Sequence, residues 1–460
     1  MASLWRKHQQ RLRQAASLHR YSTKNPSFSC TAFAIVVLAA AASLWLYLHT
    51  TAGARISQFQ ARDAGDPTLS NVDLGVESGN AVARRGDQGC DYSRGRWVYD
   101  PQRQALYNES CVDIFKGWNC VRNQRSNAGS VLRWRWQPDR CDLARLDPAK
   151  LLENLQGKNI GFVGDSLNRN MYASLVCTLK QAASKDFKKW RPIGSDKGIT
   201  FLGYNVTVAY HRTNLLARYG EWKASADGGP LEEHGYKQGY RVDVDIPQST
   251  WSEAPQFYDI LVISTGHWWF APEKFNPVTS PMLFFENGKP IVPPKSPREG
   301  LDLTLKYMLS FAEQNMKPGG IKFLRTQSPR HFDGGDWYQG GKCHRSGPLK
   351  LAEVGCDIVF VSNPFVPNFQ VEEMFSPANK GVNKEVRLVN EHLFRAASAS
   401  STFRLLNITH LSEFRADGHP STSAKKQHED CMHWCLPGVT DTWNEILGAL
   451  ILEESVTGVL

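Results

Sequence analysis

Two short constellations at opposite ends of the chain hold the residue types that serine-dependent acyl chemistry requires. The first is Gly164-Asp165-Ser166, where the apolar run Asn159-Ile-Gly-Phe-Val-Gly164 meets a helical pattern from about Leu167 to Ala183. A serine at such a strand-to-helix turn is exposed at the carboxyl end of a sheet, where open α/β folds bind ligands. The first N–H groups of the helix face the same point and can stabilise a developing oxyanion. Taken alone, the turn reads first as a helix cap, since Asp and Ser both cap helices well. The second constellation, Asp430-Cys-Met-His433-Trp-Cys-Leu-Pro, changes that balance. A serine hydroxyl needs a base to take its proton, and the base needs a partner to fix its tautomer. Asp430 and His433, three residues apart, can supply both from one turn, so Ser166, Asp430 and His433 form the expected catalytic set.

Such residues must be held by a sheet. After Cys141 the pattern alternates between strand and helix. Buried-strand candidates are Asn159–Gly164, Tyr258–Ser264, Ile321–Thr326, Asp357–Val361 and Phe403–Ile408, with helical segments at Asp302–Asn315 and Asn383–Ala397. Short β-rich runs separated by helices predict a parallel sheet with helices on both faces. The polar, Gly/Pro-rich stretches from Trp190 to Pro255 and from Ala271 to Arg298 read as long inserts that build a smaller second lobe.

Charge and hydropathy locate this body. Of the 54 Lys and Arg, six (Arg6, Lys7, Arg11, Arg13, Arg20, Lys24) fall in the first 49 residues, which hold no acid. The remaining 48 basic residues face 45 acidic ones, so the body carries no nucleic-acid footprint. Phe28 to Leu48 is a run of 21 uncharged residues, long enough to span the roughly 30 Å hydrocarbon core as one helix. The basic residues all precede it and Arg55 follows, so the positive-inside rule predicts a single-pass type II protein with a cytosolic tail. Expected boundaries are a basic tail over 1–27, a signal-anchor transmembrane helix over 28–48, a flexible Ala/Gly/Ser-rich stem over 49–86, a Cys/Trp-rich cap over 87–150 and a catalytic domain over 151–460.

The cysteines fit a lumenal body. Ten are present, nine of them beyond the anchor, where an oxidising compartment lets disulfides persist. Acceptable N-glycosylation sequons stand at Asn108, Asn205 and Asn407. No repeated CxxC pair or nearby double His is present, so no metal site is expected.

The motif set as a whole resembles the plant trichome birefringence-like family. The residues that carry this resemblance are Gly164-Asp-Ser-Leu-Asn-Arg-Asn170, Asp430-Cys-Met-His-Trp-Cys-Leu-Pro-Gly438 with Asp441-Thr-Trp-Asn444, Trp134-Arg-Trp-Gln-Pro138, Arg325-Thr-Gln-Ser-Pro329 and His331-Phe-Asp-Gly-Gly-Asp-Trp337. They run in family order from about Cys90 to the end. The resemblance implies an SGNH/GDSL-like three-layer α/β/α sandwich with a smaller lobe. It further implies a Golgi O-acetyltransferase that acts on a wall polysaccharide: xylan, xyloglucan, mannan or pectin. The family's serine falls on Ser166, its Asp on Asp430 and its His on His433. The Asn that such esterases carry at the third block is absent, and Ser264-Thr-Gly-His267-Trp-Trp stands at that strand end.

No bound cofactor is expected, only an acetyl donor (acetyl-CoA or a derived carrier) as co-substrate. Oxyanion and substrate candidates are Asp165, Arg169, Asn170, His267, Trp268, Arg325 and His331, with the Ser166 backbone N–H the first choice as oxyanion donor. Disulfide candidates are Cys90, Cys111, Cys141 and Cys177 in one group and Cys343, Cys356, Cys431 and Cys435 in another. The expected pairing joins Cys90 to Cys141 and Cys111 to Cys177 and leaves Cys120 free, although spacing does not fix connectivity. The same triad with water as acceptor would make a carbohydrate acetylesterase, and a glycan-binding wall protein is the non-enzymatic alternative. Oligomeric state is not legible.

Overall fold

In the computed structural model the residues described are 90–183, 186–271, 273–335, 337–350, 384–421 and 429–456. The tail, the 28–48 segment, the stem, Cys356 and the strand expected at Asp357–Val361 lie outside them. Among the described residues no helix is long and apolar enough to cross a membrane.

The chain opens with β1 (Gly95–Tyr99) and β2 (Trp134–Pro138), an antiparallel pair in the Cys/Trp-rich segment. Trp97 stands opposite Trp136 with ring centroids 5.6 Å apart. Helix α1 (Pro148–Asn154) begins at Asp147, whose carboxylate accepts from the N–H groups of Ala149 and Lys150. Then come β3 (Asn159–Gly164), α2 (Ser166–Leu179), β4 (Phe187–Lys189), β5 (Lys197–Phe201), β6 (Val206–Arg212), β7 (Ala217–Lys223), β8 (Gln238–Pro247), β9 (Ile260–Ile263), β10 (Met282–Glu286) and β11 (Lys289–Pro290). The C-terminal part supplies α3 (Pro297–Asn315), β12 (Ile321–Arg325), α4 (Lys384–Ala399), β13 (Phe403–Leu406), α5 (Thr409–Glu413) and α6 (Val439–Val456).

Among the described residues seven strands form the main sheet, in the order β13-β12-β9-β3-β6-β5-β4. The first five are mutually parallel, and β5 and β4 add an antiparallel edge. Strand pleating sends alternate side chains to opposite faces, and the core divides accordingly. Ile160 and Phe162 of β3, Ile260 and Val262 of β9 and Phe323 of β12 pack with Leu167, Met171 and Leu175 of α2 and Trp443 and Leu447 of α6. Val163, Leu261, Ile263 and Leu324 point the other way, onto Leu301, Leu305 and Met308 of α3 and Val389 and Leu393 of α4. Helices therefore cover both faces, the requirement for a parallel sheet buried on both sides.

Two differences from the sequence reading have physical causes. Helix α3 begins at Pro297 rather than near Asp302, because Ser296 and Glu299 close a capping box ahead of it. Strand β6 lies inside a stretch read as insert, since Val-Thr-Val-Ala-Tyr-His-Arg mixes polar residues into a strand that the sheet buries. The expected second lobe corresponds to a four-stranded sheet, β11-β10-β8-β7. It shares the α3 layer rather than standing apart: Val242, Val244 and Phe284 join Leu301 and Leu305 in one cluster. A Cβ at Gly300 would lie 2.1 Å from the Phe284 ring, so α3 must carry glycine at this approach.

Chain order through the parallel strands leads from β3 to β6 on one side, then back to β9 on the other. The strand order thus reverses between β3 and β9. Ligands of open α/β folds bind in the crevice outside the carboxyl ends of the strands at such a point.

Candidate active site

The turn after β3 is built so that Ser166 opens toward this crevice. Gly164 has φ of +153°, and a Cβ there would sit 2.4 Å from the carbonyl oxygen of Ser264, the residue following β9. Only glycine lets the two strand ends approach so closely. Asp165 then caps α2, its Oδ1 accepting from the Leu167 N–H at 3.0 Å. Its other carboxylate oxygen is buried without a hydrogen bond. Burial raises the Asp165 pKa, and the charge of Arg325 opposes that only in part. Ser166 follows, half-buried, as the first residue of the helix.

His433 Nε2 stands 2.7 Å from Ser166 Oγ. On its other side, Nδ1 is 3.0 Å from both carboxylate oxygens of Asp430. A carboxylate accepts only, so Nδ1 carries the hydrogen and the neutral ring leaves Nε2 bare to receive the serine proton. Asp430 Oδ1 also accepts from the His433 N–H at 3.1 Å, which fixes the backbone as well as the ring. Burial works against ionisation of Asp430, but the charge and hydrogen bonds of His433 outweigh it, holding the carboxyl well below the usual range.

Behind this relay lies a buried polar layer that the sequence reading had aimed at the cleft. Asn170 donates from Nδ2 to the Trp434 carbonyl at 3.1 Å and accepts from the Trp434 N–H at 2.9 Å. Its amide is spent on gripping the histidine loop, so it is no oxyanion donor. Arg325, fully buried, donates to Asn168 Oδ1 at 2.8 Å, to Ser264 Oγ at 2.6 Å and to the Thr326 carbonyl at 2.7 Å. It ties the first turn of α2 to the ends of β9 and β12 instead of lining the cleft. Burial pulls its pKa down to about 10, which leaves it charged at neutral pH.

His331 is likewise internal. Its Nε2 reaches the Glu413 carbonyl at 2.9 Å, its Nδ1 meets His419 Nε2 at 2.6 Å, and His419 Nδ1 reaches the His433 carbonyl at 2.7 Å. Both ends of this chain are acceptors, so its three contacts require three ring hydrogens, whereas two neutral imidazoles carry two. Burial drives both rings toward neutrality, His331 to a pKa of about 4 and His419 well below its ordinary value. The pair thus links the Glu413 carbonyl to the His433 main chain.

The remaining candidates border the crevice. The Arg169 guanidinium lies 5.2 Å from the Phe115 ring centroid and 5.4 Å from that of Trp118. Trp118 in turn lies against the His433 imidazole at 5.0 Å, a neighbour the sequence did not reveal. His267 is buried, with Nε2 unpartnered, and burial followed by the charges of Arg330, Arg325 and His433 drives its pKa far down. Trp268 is half-buried, while Trp269 is core, stacked at 6.2 Å on Phe284.

Among the described residues there are four disulfides. Cys90 is joined to Cys141 and Cys111 to Cys177. Cys120, expected to be free, is bonded to Cys435, and Cys343 to Cys431. The division of the cysteines into two separate groups thus fails at Cys120. Its segment packs beside the histidine loop, where the Trp118 carbonyl accepts from the Leu436 N–H at 2.8 Å. Of the sequon residues, Asn108 and Asn205 are exposed; Asn407 is half-buried, its Oδ1 accepting from Thr326 Oγ1 at 3.3 Å.

An α/β sheet whose first crossover helix opens on a serine, with histidine and aspartate in line behind it, is the architecture of serine esterases and acyltransferases. Residues 143–450 match the GDSL/SGNH-like acyl-esterase family found in Pmr5 and Cas1p, and residues 88–142 match the Pmr5 N-terminal domain. The chain is 56% identical to trichome birefringence-like 13 of Arabidopsis thaliana, over 79% of its own length and 84% of the relative's. It is 42% identical to trichome birefringence-like 12 of the same plant, over 80% and 86%. To xyloglucan O-acetyltransferase 2, also of Arabidopsis thaliana, it is 30% identical, over 79% and 83%. The chain belongs to the GDSL/SGNH-like acyl-esterase family and, within it, to the trichome birefringence-like proteins.

Proposed function

We propose that this chain transfers an acetyl group through a Ser166 acyl-enzyme to hydroxyls of a plant cell-wall polysaccharide. The observation that carries the reading is the continuous hydrogen-bonded line from Ser166 through His433 to Asp430 at the open end of the sheet. Similarity to a xyloglucan O-acetyltransferase supports the acetyl group and the sugar acceptor. His433 Nε2 takes the Oγ proton as Ser166 attacks the acetyl carbonyl of the donor, acetyl-CoA or a derived carrier. Asp430 stabilises the imidazolium that forms. The Ser166 N–H, at a helix start where backbone donors lack intrahelical partners, faces the oxyanion. His433 then protonates the leaving group and Ser166 is left acetylated. A sugar hydroxyl gives its proton to His433 and attacks the acetyl ester, and His433 returns that proton to Oγ as the acetylated sugar departs.

The same reading places the body in the Golgi lumen, on a type II anchor at 28–48, with glycans at the exposed Asn108 and Asn205. The uncharged run, the basic tail before it and the four disulfides support this.

The test is a labelled acetyl donor offered without acceptor. Label should accumulate on the peptide that contains Ser166, and added polysaccharide should discharge it onto sugar. Ser166→Ala and His433→Ala should each lose a few orders of magnitude in rate, and the double variant little more, because the residues act as a unit. Release as free acetate at the same rate with and without polysaccharide would make the protein an esterase. Transfer retained by Ser166→Ala would end the covalent mechanism.

A further inference from the structure

Beside the catalytic turn lies a cavity of about 490 Å³, bordered by Arg191, Asp196, Arg212, Asn214, Tyr219 and Lys274 among others. Arg212 ends β6 and is the ladder partner of Gly164, and the Thr213 N–H that follows donates to the Gly164 carbonyl at 2.9 Å. Thr265, beyond β9, donates to the Asn214 carbonyl at 3.2 Å. The cavity wall is thus continuous with the strand ends that hold Ser166.

Several arginines elsewhere are paired with carboxylates: Arg103 with Glu445, Arg218 and Arg241 with Asp243, Arg415 with Asp417. Around the cavity, among the described residues, none of the three cations has a carboxylate within ion-pair distance. Arg191 meets only the Asp196 backbone carbonyl, at 3.4 Å. The Arg212 side chain has no hydrogen-bond partner among the described residues, and its carbonyl accepts from Thr250 Oγ1. Lys274 donates to the Tyr219 hydroxyl at 3.2 Å and lies among the Tyr219, Tyr240, Trp268 and Phe275 rings, 4.9 to 5.6 Å from their centroids. Tyr219 is itself fixed by Asn214 Nδ2 at 2.9 Å. The ammonium is thereby placed in advance, without a counter-ion.

We propose that this cavity binds the carboxylate of a uronic acid residue in the acceptor, so that the polysaccharide acetylated at Ser166 is an acidic one. The inference rests on the acetyl-transfer reading above and names its substrate class. Three cations against the single carboxylate of Asp196 leave an excess of positive charge that suits an anionic sugar, and the Tyr219 ring in the same lining offers it an aromatic neighbour. A phosphate of the acetyl donor would use the same cations, and the experiment separates the two sources.

Initial rates are measured on an oligogalacturonide and on the same oligomer with its carboxyls reduced, for the wild type and for Arg191→Gln/Arg212→Gln/Lys274→Gln. Wild type should prefer the acidic oligomer in kcat/KM, and the triple variant should lose about tenfold or more of that preference. The loss should lie in the acceptor's KM, and added salt should erode it. Equal preference for the two oligomers overturns the proposal, and so does a variant whose loss lies in the KM for the acetyl donor. Calorimetry on Ser166→Ala, which needs no turnover, reads the site apart from the chemistry. Tighter binding of the acidic oligomer, lost in the triple background, supports the site even if transfer fails, and equal binding of both oligomers refutes it even if transfer succeeds.

Discussion

Asp430 serves His433 through ring and backbone together, and its depressed pKa has a consequence for stability. A carboxyl held below its unfolded value contributes stability that is fully present above that value, near pH 4, and lost as pH falls toward the folded pKa. Asp430→Asn should therefore melt below wild type at pH 5, where the carboxyl is ionised in the folded and the unfolded chain alike. The margin should narrow below about pH 4, and a margin unchanged at pH 3 would contradict the account. At this scale the sequence was readable for the proximity of Ser166, Asp430 and His433, which the structure brings into one hydrogen-bonded line. It was not readable for Asn170, Arg325 and His331. These have the polar character of cleft residues, but their hydrogen bonds turn inward, and nothing in a linear string tells an inward polar group from an outward one. Trp118 was missed for a related reason, since its partner His433 is remote in the chain.

The elements hold the site by the closeness of two strand ends. Gly164 leaves β3 at +153° against the Ser264 carbonyl, and Asn168 one turn into α2 donates to the Val163 and Val262 carbonyls at 2.8 and 3.0 Å. Gly164→Ala must push β9 away or twist the turn. It should cost roughly 1–3 kcal/mol and lower kcat more than stability alone explains, because Ser166 moves relative to His433. Chemical melts beside single-turnover acylation check this, and normal acylation in a stably folded variant would sink the argument. Most core elements were legible because their apolar runs are short and end in glycine or polar turns. Strand β6 escaped because burial between β3 and β5 tolerates Thr207 and His211, whose polar atoms find partners: Thr200 at 2.9 Å, and Tyr258 at 2.8 Å. The four-stranded second sheet escaped in detail because its strands are half polar and pair across long connections.

On the scale of the whole chain, orientation decides whether the cysteine chemistry is possible. With the basic tail cytosolic, protease added to sealed microsomes should remove the tail alone and leave the peptide containing Ser166 intact until detergent is added. Cleavage near Ser166 in closed vesicles would overturn that orientation. The bridge from Cys120 to Cys435 spans 315 positions of sequence and ends two residues from His433. In the proposed orientation Cys120 would enter the lumen long before its mate is translated, and nearly the whole polypeptide would have to follow before the thiol could find it. Until then Cys120 would remain a thiol without its final partner. A ribosome that stops short of Cys435 yields a chain that can never complete this oxidation. The covalent closure of the active site thus doubles as a check that the message was read to its end.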